Sequence, residues 1–169
     1  MIIGFTGKAG AGKDTAASYF KNATFFLFFI RFKEICCFIF GLSKEQTETL
    51  KEVKDPRWGI TPREIFQKVG KFIRSIDNNY FVNYLKVQLL NGTGKRIITD
   101  VRYDNEAQMI KELGGTIIKI VRPDYLSDFD NHESENGIME KYVDVIIIND
   151  STVENLHKKI NLAIVSNYS

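Results

Sequence analysis

The chain has 169 residues, the length of one ordinary domain with room for a sizeable hydrophobic core. Lysine and arginine number 23 against 21 aspartates and glutamates, and a formal charge of +2 gives no general electrostatic reason to expect a nucleic-acid or membrane partner. With 26% charged and 44% hydrophobic residues the composition is globular, and the two cysteines, Cys36 and Cys37, are sequence neighbours that make a poor disulfide staple.

Ile2–Thr6 is an apolar run that reads as a buried strand, and the features of a secretory leader, a basic start and a small-residue cleavage site, are missing. A glycine-rich turn follows, then a helix expected to run to about Asn22. Thr24–Ile30 reads as a second buried strand; its run FFLFFI has six residues, against the roughly 20 that a helix needs to span a bilayer. A soluble intracellular, cytoplasmic protein is therefore expected. A helix over Phe32–Phe40 should stop at Gly41, and polar Ser43–Ile60, which holds Pro56, reads as a loop or ragged helix. Thr61-Pro62-Arg63-Glu64 combines a capping hydroxyl, a proline at the first helical position and a glutamate three residues on, so a helix is expected over Pro62–Ile73. Another follows over Asn78–Leu90, closed by Asn91-Gly92-Thr93-Gly94. Arg96–Thr99 reads as a strand, Asn105–Leu113 as a helix, and Thr116–Val121 and Val143–Ile148 as strands; Ser151-Thr152-Val153-Glu154 again has the capping-box spacing and opens the last helix. No repeat or linker divides the chain. Strands alternating with helices predict one three-layer α/β domain over 1–169, a parallel sheet with helices on both faces.

Gly7-Lys8-Ala9-Gly10-Ala11-Gly12-Lys13 fits G-x-x-x-x-G-K between an apolar strand and a helix, the context that separates a phosphate loop from a chance match. Small residues such as Gly7, Gly10, Ala11 and Gly12 let successive backbone amides curl around phosphate oxygens, and Lys13 would bridge the outer phosphates during transfer. The position after Lys13 carries Asp14 rather than a hydroxyl, which arrives one residue later as Thr15. Asp14 either holds a metal-bound water, accepts a hydrogen bond, or is a solvated side chain in the first helical turn. Asp100 leaves the apolar run Arg96–Thr99; beside a glycine loop such a carboxylate can anchor Mg²⁺ through water, and otherwise it is a common turn residue. Arg102 and Glu106 are spaced to face one another on a helix, which would let Glu106 hold Arg102 in place. The DxxG and NKxD strings of GTP switches do not occur. His132 and His157 have no Cys or His at metal-ligand spacing, and a solvated or capping role is expected for both.

Four stretches, GKAGAGKDTAA, RWGITPREIFQKVG, ITDVRYDNEAQMIKELGG and VRP with a downstream HESE, occur in this order. Together they resemble the viral and phage-type deoxynucleoside monophosphate kinases, part of the adenylate-kinase-like P-loop kinases and related to dephospho-coenzyme A kinase. The chain departs from relatives that carry FADPLK where it has Ile30-Arg31-Phe32-Lys33. The resemblance implies the P-loop fold of nucleoside monophosphate kinases and transfer of a phosphoryl group from ATP, with Mg²⁺, to a deoxynucleoside monophosphate. It implies that Lys13, Asp14 and Thr15 serve the phosphate loop, with Asp100, Arg102 and Glu106 opposite and Thr15 and Asp100 near the metal. Arg63, Gln67, Arg74 and Trp58 would lie on the acceptor side, within a helical region about 32–90. A lid is expected over about 122–141; from Pro123 to Glu140 it carries no Lys or Arg, so Arg63, Arg74, Arg102 and Arg122 are expected to supply the phosphate clamp. Related enzymes make a homodimer plausible. A different small-molecule kinase, such as dephospho-coenzyme A kinase, and a nucleotide-binding protein without catalysis are the alternatives.

Overall fold

The computed structural model describes residues 1–28, 30–123 and 137–168, and for residues 30, 31, 167 and 168 it describes the backbone alone. The chain forms two compact units: Met1–Phe28 with Leu85–Ser169, and Phe29–Tyr84.

The first unit is built on a five-stranded sheet in the order β2-β3-β1-β4-β5. Its strands are β1 (Ile2–Thr6), β2 (Ala23–Phe26), β3 (Lys95–Ile98), β4 (Thr116–Val121) and β5 (Val145–Ile148). Every pairing is parallel. β1 sits at the centre and all of its residues are buried, as a strand covered on both faces must be. On one face Ile3, Phe5, Ile97, Ile118 and Ile120 pack with Ala16 and Ala17 of α1 (Lys13–Ala17) and with Leu156 and Ile160 of α7 (Val153–Tyr168). On the other, α6 (Asp104–Glu112) brings Ile110 against Gly4 of β1. The three-layer α/β arrangement expected from the sequence is the one observed.

The second unit is helical: α2 (Ile30–Phe40), α3 (Lys44–Glu48), α4 (Pro62–Ile76) and the start of α5 (Tyr80–Asn91). Phe32, Phe66 and Phe81 meet edge-on, with Phe32 and Phe81 centroids 5.5 Å apart. Thr61 caps α4 as its sequence predicts, accepting from the Glu64 amide while Glu64 accepts from the Thr61 amide. Ser43 and Gln46 build a second capping box at α3, which gives the ragged 43–60 stretch one short helix.

Several boundaries differ from expectation. The first helix ends at Ala17 rather than Asn22, because the Ser18 hydroxyl turns back onto the Thr15 carbonyl and the next amides close tighter i→i−3 bonds. The second strand stops at Phe26 and lies at the sheet edge with Phe25 half exposed, because its partner β3 ends at Ile98, in register with Phe26. α4 runs one turn further, to Ile76. The last helix is capped by Thr152, whose hydroxyl accepts from the Asn155 amide, one residue later than Ser151.

Candidate phosphate-binding cleft

The loop from β1 into α1 is shaped by glycine. Gly7 has φ 135°, and a Cβ there would stand 2.3 Å from the Ile120 carbonyl oxygen of β4, so both the backbone angle and the close strand exclude a side chain. Gly10 and Gly12 also take positive φ, and the Ala11 amide closes onto the Lys8 carbonyl at 3.2 Å. Lys13, first residue of α1, folds its ammonium back over the loop and donates to the carbonyls of Gly7 (2.8 Å) and Lys8 (3.0 Å). A cation is thus fixed at the loop mouth by the same turn that would surround an anion.

A parallel sheet gathers the carboxyl ends of its strands on one side, where ligands of such folds bind. Gly4 is in register with Ile98, where the β1–β3 ladder ends, and just beyond it the Val101 amide bonds to the Phe5 carbonyl at 3.2 Å, which holds the turn carrying Asp100 against the end of β1. Asp100 thus sits past the carboxyl end of β3, next to the strand that leads into the loop, and its Oδ1 accepts the Phe28 amide at 3.1 Å. Glu106 is buried, and its Oε2 accepts the main-chain amides of Arg102 (2.8 Å) and Tyr103 (3.1 Å). Through these bonds it fixes the main chain of the turn that carries Arg102.

A cleft of about 390 Å³ opens along this edge, lined by Gly10, Gly12, Lys13, Asp14 and Thr15 of the loop and by Arg122, Asn149, Ser151 and Val153. Arg122 shares this lining with the loop residues; Ala11 is buried beneath the loop. The sequence pointed to Ser151 and Val153 only as the start of the last helix, and to Asn149 not at all. For Asn149 and Ser151 the signal was positional: polar residues just after an apolar strand, at its carboxyl end. His157 was expected to be solvated or capping, and it caps: its Nε2 meets the Thr15 carbonyl at 2.9 Å, an acceptor at the end of α1. Lys159 bridges the Ile148 carbonyl and Asp150, and this ammonium holds the Asp150 carboxyl below its usual range.

The remaining candidates lie in the second unit. Arg63, Gln67 and Arg74 are spaced by four and seven residues along α4, which puts them in one stripe of the helix. Arg63 pairs with Glu52, and the Arg74 guanidinium stands 4.8 Å from the centroid of the Phe81 ring. Trp58 is half exposed, stands edge-on to Phe40 and donates its indole N–H to the Phe40 carbonyl at 3.1 Å. Most of the expected lid, residues 124–136 with His132, lies outside the described residues.

Residues 22–160 match the profile of the deoxynucleotide monophosphate kinase family, a stretch that begins after the phosphate loop, so loop and family are separate observations. A protein of Acanthamoeba polyphaga mimivirus, provisionally named a deoxynucleotide monophosphate kinase, is 36% identical over 95% of this chain and 94% of its own. The deoxynucleotide monophosphate kinase of Enterobacteria phage T4 is 29% identical over 68% of this chain, which matches 48% of that enzyme's length. Among solved structures, the shikimate kinase of Acinetobacter baumannii aligns with a TM-score of 0.55 at 15% identity, over 99% of this chain and 94% of its own. The dephospho-CoA kinase of Campylobacter jejuni gives 0.55 at 14%, over 98% and 96%. These two likenesses carry the fold, that of P-loop kinases. The family match covers most of the chain, and the protein belongs to the deoxynucleotide monophosphate kinase family.

Proposed function

We propose that this protein transfers the terminal phosphoryl group of ATP, in the presence of Mg²⁺, to a deoxynucleoside monophosphate, giving the diphosphate and ADP. The observation that supports this most is the glycine cradle with Lys13 across its mouth, beside Asp100 and the Arg102 turn on the neighbouring strand end. Moving a phosphoryl group between two polyanions is chiefly a problem of position and charge. In this reading Lys13 spreads positive charge over the outer phosphates of ATP and the loop amides hold their oxygens. The nucleoside end of ATP runs along Arg122 and Ser151, which line the same cleft.

Among the described residues no three His, Cys, Asp or Glu side chains cluster into a metal cage. Mg²⁺ suits such a site, because it is commonly held by one or two protein oxygens together with substrate phosphates. Thr15 and Asp100 are the hard oxygen donors that would hold it, with Asp14 at the loop mouth. When bound there the ion supplies further positive charge to the phosphates. Acceptor binding falls to Trp58, to the Arg63-Gln67-Arg74 stripe and to Arg102, with Glu106 positioning Arg102. The acceptor region, about 32–90, largely coincides with the second compact unit, 29–84. The lid is assigned to about 122–141.

The test is an acceptor panel read by ADP release: the four deoxynucleoside monophosphates, their ribose counterparts and dephospho-coenzyme A, each with ATP and Mg²⁺. Transfer to at least one deoxynucleoside monophosphate is expected. Release with dephospho-coenzyme A alone, or ATP binding without transfer to any acceptor, overturns the proposal.

A further inference from the structure

We infer that Asn149 is a positioning residue that locks the phosphate loop in its cradle form, tying the carboxyl end of β5 to the loop apex. Asn149 directly follows β5, and its main-chain amide continues the sheet by bonding to the Val121 carbonyl at 2.7 Å. Its side chain then reaches across to the loop, where Nδ2 donates to the Ala11 carbonyl at 2.9 Å. Ala11 is buried under the apex, so its carbonyl needs a partner from within the protein. The same amide explains the residue next to it. A Cβ at Gly12 would stand 2.5 Å from Asn149 Nδ2, and Gly12 holds φ 97°; the apex is shaped to let Asn149 in.

The tether has its own support. Lys159 of α7 binds both the Ile148 carbonyl and Asp150, each at 2.8 Å, bracketing Asn149 on both sides. Thr152 caps the helix just beyond. Asn149 therefore projects from a fixed point, and what it holds in place is the main chain between Gly10 and Lys13. A carboxylamide is suited to this: it offers a neutral N–H donor near a site meant for phosphates, where a carboxylate would repel both the Ala11 carbonyl and the ligand.

The substitution that isolates the tie is Asn149→Asp, which keeps the shape, removes the donor and sets an oxygen against the Ala11 carbonyl. Amide hydrogen exchange of the full chain without nucleotide should be faster in residues 7–13, by about fivefold for the loss of one hydrogen bond, and unchanged in α4. The kinetic part rests on the proposed reading of the cleft as the ATP site: KM for ATP rises about tenfold or more while KM for the deoxynucleoside monophosphate stays within about twofold. Asn149→Ala, which removes the donor without adding charge, should show the same pattern less strongly and guards against a folding defect in the aspartate variant. Unchanged loop exchange in both variants overturns the inference. So does an equal rise in both KM values, whereas accelerated loop exchange in a protein that transfers to no acceptor would uphold the tie and sink only the kinase reading.

Discussion

The two compact units reach order by different means. In the first, the elements that carry candidate residues hang from strand ends, and the ladder decides where they stand: Gly4 opposite Ile98 places Asp100, and Val121 opposite Ile148 places Arg122 and Asn149. In the second, the stretch between α3 and α4 has no ladder, and a buried carboxylate replaces it. Asp55 is only 1% exposed, and its two oxygens accept four hydrogen bonds, three from Arg57 and one from Gln46. Arg57 also donates twice to the Gly41 carbonyl, and the Asp55 main chain bonds to Ile60, Trp58 and Gly59. Apolar contact is non-directional and cannot prescribe the path of an irregular loop; a charged, multiply bonded centre can. The sheet unit positions by register and the helical unit by a polar knot.

The largest effect should come from the lysine whose ammonium folds back over the sheet unit's loop. Lys13→Ala is expected to lower kcat for phosphoryl transfer by about three orders of magnitude or more, the scale of removing a principal electrostatic stabiliser. Its structural cost should be small, because the carbonyls of Gly7 and Lys8 to which it donates belong to the loop while β1 keeps its ladder. Coupled ADP release and denaturant unfolding on the same variant separate the two. A variant that loses stability as steeply as activity would mean that the loop, like the helical unit, is organised by its side chain.

The same contrast governs how much could be read from the chain before its fold was seen. Ile2–Thr6 and Thr116–Val121 agree with expectation residue for residue, because each is an apolar run buried by the sheet it makes. Thr24–Ile30 misled: its aromatic run resembles a buried strand, yet β2 can pair only as far as β3 extends, a limit set elsewhere in the sequence. At the cleft, the glycine loop was legible because its spacing is local. Asn149 was not, since its meaning depends on β5 lying beside β4 and on a contact 138 residues away. Asp55 was equally hidden; Asp55-Pro56-Arg57 looks like an ordinary turn, and only burial turns it into a structural centre.

A middling effect is expected at that centre, and pH tells its sign. The Arg57 guanidinium holds the Asp55 carboxyl well below the usual carboxylate range. A lowered folded value means that the stabilising contribution is complete above the unfolded value of about 3.9 and is lost as pH falls through the folded one. Asp55→Asn should therefore lower the unfolding midpoint by a constant amount between about pH 5 and 8, and the gap from the parent should close only below about pH 4. Cys36 in the same unit has the opposite sign: burial raises its thiol from 9.0 to about 11, so its contribution is whole at neutral pH and fades as pH climbs toward that value. A gap that closes on the alkaline side instead would show that the knot does not carry the loop. Trp58 is the single tryptophan and donates to the Phe40 carbonyl, so its fluorescence reports the loop directly.

The smallest effect belongs to Thr61→Ala, and it asks whether the helical unit depends on polar ties in general or on the Asp55 knot in particular. The substitution removes the hydroxyl that accepts from the Glu64 amide but leaves the main-chain amide of residue 61 for the Glu64 carboxylate. That surviving bond is also the chief reason the Glu64 carboxyl sits below its usual range, so the helix start keeps its charged half. The expected cost is about 1 kcal/mol, or about 2–4 °C in the thermal midpoint of a chain of this size. Because α4 runs for fifteen residues, its stripe of Arg63, Gln67 and Arg74 should stay aligned and KM for the acceptor should move less than about twofold. A loss larger than that of Asp55→Asn would reverse the ranking, and the capped start of α4, rather than the buried carboxylate before it, would then be what holds the second unit in order.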